Sequence, residues 1–487
     1  MANRMKLNTK LISTYMAVGL VPLALIGAIC WFVASGSLST VSKQGSQALE
    51  TASYDQLKSL RDIKQEQVNN YFAERKGDLQ VLVNTVDQIR QEAFNKLESG
   101  QELKKSQLEQ FVTQLHEDMS LLAKSEDFKA AYSDFKQYHD DMGFGEREGY
   151  DVNTSRYSNI WQEYRETLGK YVTDFGYYDV FMICKAHGHV MFTHAQEDDL
   201  GTNLAYGSYQ DEGLARLWEK VVDQGSMVIE DFSAYSPSDG KQAAFAGAPV
   251  YDDAGNMIAV AALQIPAEEI NSIVQQRQGL GETGETYLAA KDDNGRISFR
   301  SNMQTMGDGD FVVGYDVTDI APQYLTQTLK GNEVRDVFTD SSGQPVMVAG
   351  DMVDIGSGVK WAMITKQNLQ EALTTTEKGS KDYFAKYVDE YGYYDLFLIN
   401  NKGYVFYTVS EEADYQTNVV DGRFSDSGLG KATRKSLNTG EFAFADFEPY
   451  EPSNGAPASF ITQPVTNQGK TEMVVGLQLS DQAITQM

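Results

Sequence analysis

Residues 11–34 form a run of 24 positions without a charged side chain. As a helix rising 1.5 Å per residue, such a run is long enough to cross a hydrocarbon core of ~30 Å. Gly19 and Pro22 within it are tolerated in membrane helices. Beyond it, Leu38, Leu49, Leu60, Ile63, Leu79, Leu82, Val86 and Leu97 belong to a series spaced mostly by three or four. That spacing predicts a long membrane-proximal helix over 38–97 with one buried face, which packs either on its own domain or against a second chain. Leu108, Phe111, Leu115, Leu122, Phe128 and Phe135 mark a second helical stretch. Residues 142–150, rich in glycine and charge, read as a loop, and Ile160, Trp161, Tyr164 and Leu168 place a third helix near 155–171.

From there on the pattern becomes that of short strands, and it repeats. KYVTDFGYYDVFMI at 170–183 and KYVDEYGYYDLFLI at 386–399 agree at nine of fourteen positions, 216 residues apart. DFSAYSPSDG at 231–240 answers DFEPYEPSNG at 446–455, APV at 248–250 answers QPV at 463–465, and LQI at 263–265 answers LQL at 477–479. Ordered matches over ~95 residues mean a duplicated unit. The first copy predicts strands 178–184 and 189–194, a helix 212–224, then strands 227–232, 241–250 and 256–265. The later copy predicts the same order at 394–400, 404–409, 427–438, 441–447, 456–465 and 472–479. A divergent module between them has 286–290, an Asn294-Gly295 turn, 296–300, a helix near 322–330, then 333–339, 345–353 and 359–365. Two strands, a helix and three strands make a small α+β module, with one sheet face on helices and the other free to enclose a ligand.

Composition narrows the function. The formal charge of −28 repels phosphate and argues against nucleic-acid binding. The first 34 residues run the other way, with Arg4, Lys6 and Lys10 and no acid. A basic flank ahead of the apolar run keeps the amino end in the cytoplasm and the acidic body outside. A cleaved signal peptide is the competing reading, but Val33-Ala34-Ser35-Gly36 is a weak cleavage match and helical periodicity continues past it. Cys30 and Cys184, the only cysteines, suggest neither a disulfide nor a thiolate metal site.

The segments GYYDVF and GYYDLF, DFEPYEPSNGAPASF, and LQIPAEEINSIVQQRQGLGETGETYL at 263–288 resemble the double Cache family, the extracytoplasmic sensor regions of bacterial chemoreceptors, sensor kinases and cyclases. The resemblance covers about residues 10–487. It implies an α+β fold in which a long helix carries PAS-like modules with five-stranded antiparallel sheets. The parts are then a basic tail (1–10), a transmembrane helix (11–34), a long helical region (35–170), modules at 171–278 and 279–367, and a linker helix with a third module at 368–487. The third module stops at 482–487, where the first continues into its partner. This departs from family receptors, which carry a second membrane helix and a signalling domain, so a fragment or a receptor acting through a partner is expected.

Residues 279–284 match GxGxxG, but they follow a helix and lead into a strand, the reverse of a dinucleotide site, so Gly279 reads as a helix stop. His187, His189 and His194 cluster at strand spacing, yet the other copy has Lys402, Tyr404 and Thr408 there, and solvated turn histidines are expected rather than a metal site. Asp308-Gly309-Asp310 reads as a turn without EF-hand spacing. No nucleophile–base constellation is recognisable, and neither an enzyme nor a cofactor is expected. The candidate pocket residues are aromatic and polar: Trp161, Tyr164, Arg165, Tyr178, Asp231 and Tyr235 in the first module, Tyr394, Tyr407, Asp446 and Tyr450 in the last. Aromatic walls exclude water, and a fixed charge then holds a ligand head. The amino-acid-binding subset of the family has an Arg-x-Trp-Tyr signature and a later Asp. Here Arg156 and Trp161 lack that spacing and Glu451-Pro452 follows Tyr450, so the ligand class stays open. The expected role is sensing of a small extracytoplasmic molecule by a membrane-anchored bacterial receptor, in chemotaxis, as a homodimer through the long helix. The alternatives are a structural or partner-binding ectodomain, or the sensor of a kinase or cyclase.

Overall fold

The structure is a computed structural model that describes residues 7–34, 41–305, 311–340, 343–374, 380–467 and 469–480. Arg4 and Lys6, Ser35 and Gly36, the Asp308-Gly309-Asp310 turn and residues 482–487 lie outside that set. Helix α1 (Leu7–Ala34) contains Thr14–Trp31, a window of mean hydropathy 1.8 with no residue buried. It is the one described helix long and apolar enough to span a membrane. The chain forms two compact units, residues 91–373 and residues 1–90 with 374–487.

Helix α2 (Val41–Lys124) runs unbroken for 84 residues, where the apolar stripe predicted two stretches. The stripe lapses near residues 98–107 because the buried face there is polar. Gln101 donates to the carbonyls of Ala349 (2.9 Å) and Met363 (3.0 Å), and Lys104 donates to Thr286 Oγ1 at 2.7 Å. Strong helix formers in Glu102–Gln107 carry the helix across that gap. The true break is Ser125, whose hydroxyl accepts the Phe128 N–H and caps α3 (Glu126–Met142). Gly143, left-handed at φ 68°, ends α3.

In the unit 91–373, α4 (Ser155–Leu168) and the short α5 (Lys170–Thr173) precede β1 (Asp179–Cys184), β2 (Val190–Thr193), α6 (Gly213–Gln224), β3 (Val228–Tyr235), β4 (Lys241–Tyr251) and β5 (Met257–Ile265). Then come α7 (Ala267–Val274), β6 (Glu285–Lys291), β7 (Ile297–Phe299), α8 (Gln323–Thr328), β8 (Val334–Thr339), β9 (Pro345–Gly356), β10 (Val359–Asn368) and α9 (Leu369–Thr374). The predicted helix after β5 stops at Val274, short of Gly279. Arg277 folds onto the next turn, donating to the Gly284 carbonyl at 3.1 Å, and Gly279 (φ 84°) lies in the segment between. In the other unit, α10 (Tyr383–Tyr391) precedes β11 (Asp395–Asn400), β12 (Val405–Thr408), α11 (Gly428–Thr439), β13 (Ala443–Tyr450), β14 (Ala456–Asn467) and β15 (Lys470–Leu479).

Three five-stranded antiparallel sheets share one strand order: β2-β1-β5-β4-β3, β7-β6-β10-β9-β8 and β12-β11-β15-β14-β13. The duplicated copies also share their irregularities. Register shifts fall at Met182/Ile183 and Leu398/Ile399, and at Glu230/Ser233 and Ala445/Glu448. The period-2 alternation of β1 sends Val180 and Met182 into a core shared with α2, α3 and α4, and Phe181 and Ile183 into a second core under α6. Both faces are covered, so the whole strand is buried.

Candidate functional site

Asp179 opens β1 on the same face as Phe181 and Ile183, and so points to the α6 side. It accepts the backbone N–H groups of Val180 (2.7 Å), His194 (2.8 Å) and Ala195 (3.0 Å) and the Thr193 hydroxyl. The loop after β2 brings in Glu197 and Asp199. Glu197 accepts the hydroxyls of Tyr178 (2.6 Å) and Ser238 (2.5 Å). Asp199, with no exposed surface, accepts the Tyr235 hydroxyl at 2.5 Å. Gln264 of β5 donates to Ser238 at 3.4 Å. Among the described residues, the remaining Asp199 oxygen, Oδ1, and Gln264 Oε1 are buried without a hydrogen-bond partner.

The third sheet repeats this arrangement. Asp395 accepts Leu396, Val409 and Ser410 N–H groups and the Thr408 hydroxyl. Glu412 accepts Tyr394 (2.7 Å) and Ser453 (2.6 Å), Tyr450 donates to Asp414, and Gln478 donates to Ser453 at 3.3 Å. Asp414 Oδ1 and Gln478 Oε1 are again buried without a partner among the described residues. Burial pushes Asp179 up to about 7 and Asp199 and Asp414 up to about 6, and it raises Asp395. The Tyr235 and Tyr450 hydroxyls are raised too, by burial and by the carboxylates they serve. Each copy therefore holds a buried acid that resists full charge, beside two acceptors that lack donors.

Of the predicted residues, Tyr178, Tyr235, Tyr394 and Tyr450 belong to these networks. The others do not. Trp161 donates to the Thr193 carbonyl at 3.0 Å from the α4 side, while the Thr193 hydroxyl serves Asp179. Tyr164 bonds Asp134 at 2.6 Å, and the exposed Arg165 lies over the Trp161 ring at 5.1 Å. Tyr407 bonds Asp382, the cap of α10, at 2.8 Å. Asp231 and Asp446 accept the N–H of the next residue, each at 2.8 Å, within the repeated β3 and β13 bulges. Their recurrence reflects that backbone duty. Asp231 additionally ion-pairs with Arg300 (2.8 Å) and accepts Trp361 Nε1 (3.0 Å), clasping β3 to the second sheet, whereas Asp446 is exposed. A groove of about 830 Å³ opens beside this clasp, and Asp231 is the one predicted residue on its wall. Four of its cations are already ion-paired: Arg216 and Lys220 with Glu230, Arg296 with Asp316, and Arg300 with Asp231. His189, expected to be solvated, is fully buried, because the loop that follows α3 covers it.

Sequence reasoning missed Asp179, Glu197, Asp199, Ser238 and Gln264. Their signal was present: each is identical in the second copy, as Asp395, Glu412, Asp414, Ser453 and Gln478. Polar identity at buried positions across an internal repeat marks a retained network.

No family model matches the chain, and no curated protein matches it. Solved structures do. The ligand-binding domain of the Pseudomonas fluorescens chemoreceptor CtaA in complex with L-isoleucine is 11% identical, covering 59% of this chain and 96% of that one, at a TM-score of 0.35. The sensory domain of the Campylobacter jejuni chemoreceptor Tlp3 (CcmL) is 12% identical, covering 59% and 98%, at a TM-score of 0.36. The fold implied by the double Cache resemblance, a long helix with modules of five-stranded antiparallel sheets, is the fold observed.

Proposed function

We propose that this chain is the sensing part of a membrane-anchored receptor, with α1 in the bilayer and the acidic body on its outer side. Its ligand is a small molecule rich in N–H donors, an amine, received by Asp199 and Gln264 and, in the duplicated copy, by Asp414 and Gln478. One observation carries this reading: both copies leave the same two buried acceptors without donors. An unmet buried acceptor costs about 1–3 kcal/mol, which a donor-bearing ligand recovers. A cationic ligand also relieves the cost of charging a buried carboxylate.

The network joins the β2–α6 loop, through Glu197 and Asp199, to β3 and the turn after it, through Tyr235 and Ser238. A ligand that binds one arrangement of these segments better than another shifts the population, which is the requirement for a signal. The basic residues ahead of α1 support the orientation. Leu49, Leu60 and Ile63 of α2 are 44%, 39% and 54% exposed. At about 100° per residue they lie within about 60° of arc, and a second copy of the chain covers them in this reading. The chain binds without catalysing, and its output is signal transduction, chemotaxis being the form the family resemblance suggests.

The test is calorimetric titration of the full chain in detergent with a panel of amines, carboxylates and sugars. Saturable binding of an amine at two sites per chain is expected; Asp199→Asn or Asp414→Asn weakens one of the two roughly 10–100-fold and the double variant weakens both, as loss of a charged hydrogen bond predicts. Failure of every amine to bind would leave a scaffold or partner-binding ectodomain as the better reading.

A further inference from the structure

Three of the five histidines, His139 and the His187/His189 pair well after it in the chain, come together outside the network just described. His139 lies in the last turn of α3. His187 and His189 flank Gly188 (φ 73°) in the turn between β1 and β2. One ring nitrogen from each lies within 4.8 Å of the other two. The rings pack closely, with centroids 5.1 Å apart for His139 and His189, 5.6 Å for His187 and His189, and 6.1 Å for His139 and His187.

Hydrogen bonding separates the two nitrogens of the His139 and His189 rings, while His187 has only a longer contact to a carboxylate. His189 Nε2 faces the Glu148 carbonyl at 2.9 Å, His139 Nδ1 faces Asp140 Oδ1 at 3.2 Å, and His187 Nε2 is 3.8 Å from Glu146 Oε1. Donation of N–H to a carbonyl or carboxylate fixes the tautomer and leaves a lone pair on the opposite nitrogen. Those opposite nitrogens, His139 Nε2, His187 Nδ1 and His189 Nδ1, are buried and have no hydrogen-bond partner among the described residues. An ordinary packed histidine satisfies its second nitrogen or leaves it in water. His194 Nδ1 is likewise buried without a partner among the described residues but lies outside the cluster; three such rings packed together are collectively short of an electron-pair acceptor.

We infer that His139, His187 and His189 form a binding site for a divalent transition-metal ion of the zinc class. Imidazole nitrogens are favoured donors for such ions, and three of them with an open fourth position form a recurring zinc arrangement. Tetrahedral coordination at ~2.0–2.1 Å brings donor nitrogens to roughly 3.3 Å of one another. His187, at a turn and 27% exposed, is the ring with room to rotate towards that spacing. The Glu148 carbonyl and the Asp140 carboxylate act as outer partners that orient the His189 and His139 imidazoles, with Glu146 near His187. The fourth position is left to water or an incoming donor. The bound ion ties the end of α3 to the β1–β2 turn. The site belongs to the first copy alone: Lys402 and Tyr404 replace His187 and His189 in the third module, Tyr404 pairing with Asn418 as His189 pairs with Asn203. This inference does not depend on the amine-sensing reading.

The full chain in detergent, stripped with a chelator, is titrated with zinc chloride against a chromophoric competitor. Cobalt replaces zinc in a parallel sample to read the visible bands of tetrahedral nitrogen coordination. One zinc per chain is expected to bind at micromolar or tighter Kd, with a rise in Tm. His187→Gln and His189→Gln each weaken binding at least as much as the ~10–100-fold that outer-shell changes cost. Asp140→Asn has a smaller effect, and His116→Gln, an exposed histidine of α2, has none. His187→Gln is partly exposed and keeps the test open should His189→Gln fail to fold. Binding weaker than millimolar, binding unchanged in His187→Gln, or octahedral cobalt spectra typical of surface carboxylates would overturn the site.

Discussion

Asp179 is buried at a strand start and titrates near 7, against about 3.9 in an unfolded chain. Asp199 and Asp414 titrate near 6. All three bind a proton more tightly in the folded chain, so their stabilising contribution is complete below about pH 4 and is lost as pH rises through 6 and 7. The urea midpoint is therefore expected to be higher at pH 5 than at pH 8. Asp179→Asn cannot ionise and should shrink that difference, whereas the decline due to the overall negative charge persists in the variant. An unaltered slope would refute the assignment. Tyr235→Phe strips Asp199 of its donor and should cost about 1–3 kcal/mol by chemical denaturation, with Tyr450→Phe producing the matching loss in the other unit. Lys104 behaves oppositely. Burial lowers it to about 8, and among the described residues it donates to a neutral hydroxyl, that of Thr286. Lys104→Met should stabilise the unit 91–373 at pH 7 by about 1–3 kcal/mol, an effect that fades towards pH 10 as the wild-type amine discharges.

Among elements, the strands and their helices were legible because apolar alternation and turn residues coincide. Asn294-Gly295, His187-Gly188 and Lys402-Gly403 all close tight turns at a left-handed glycine, the middle one with one residue more than the other two. The continuity of α2 was not legible, because a helix face that meets a sheet through Gln101 and Lys104 carries no apolar mark. The same helix buries Arg90, which ion-pairs with Glu472 of β15 and with Asp87. Arg90→Ala leaves the Glu472 carboxylate buried without its cation and should cost about 3–5 kcal/mol in denaturant melts. The double variant Arg90→Met with Glu472→Leu should recover most of that loss. Recovery by neither charge removal nor apolar replacement would mean that the pair matters through geometry instead.

At the scale of the molecule, the leading part of α2 presents Leu49, Leu60 and Ile63 to solvent in the single chain. Light scattering of the detergent-solubilised chain should give a dimer, and Leu60→Asp with Ile63→Asp should reduce it to a monomer without altering the melting of the unit 91–373. The repeat was readable from one sequence because the copies still share nine of fourteen residues at their first strand. The buried network was legible only in part: four of the candidate tyrosines, Tyr178, Tyr235, Tyr394 and Tyr450, belong to it, but Arg165, Asp231 and Asp446 do not. The rest of the network consists of acids, serines and amides whose burial the folded sheets reveal. Duplication also had a consequence beyond symmetry. The aspartate accepts the N–H of the next residue in the bulge of both β3 and β13, and in the first module it also anchors Arg300 and Trp361. Asp446 thus leaves an exposed carboxylate on the third module at the place where its counterpart binds a guanidinium and an indole in the first.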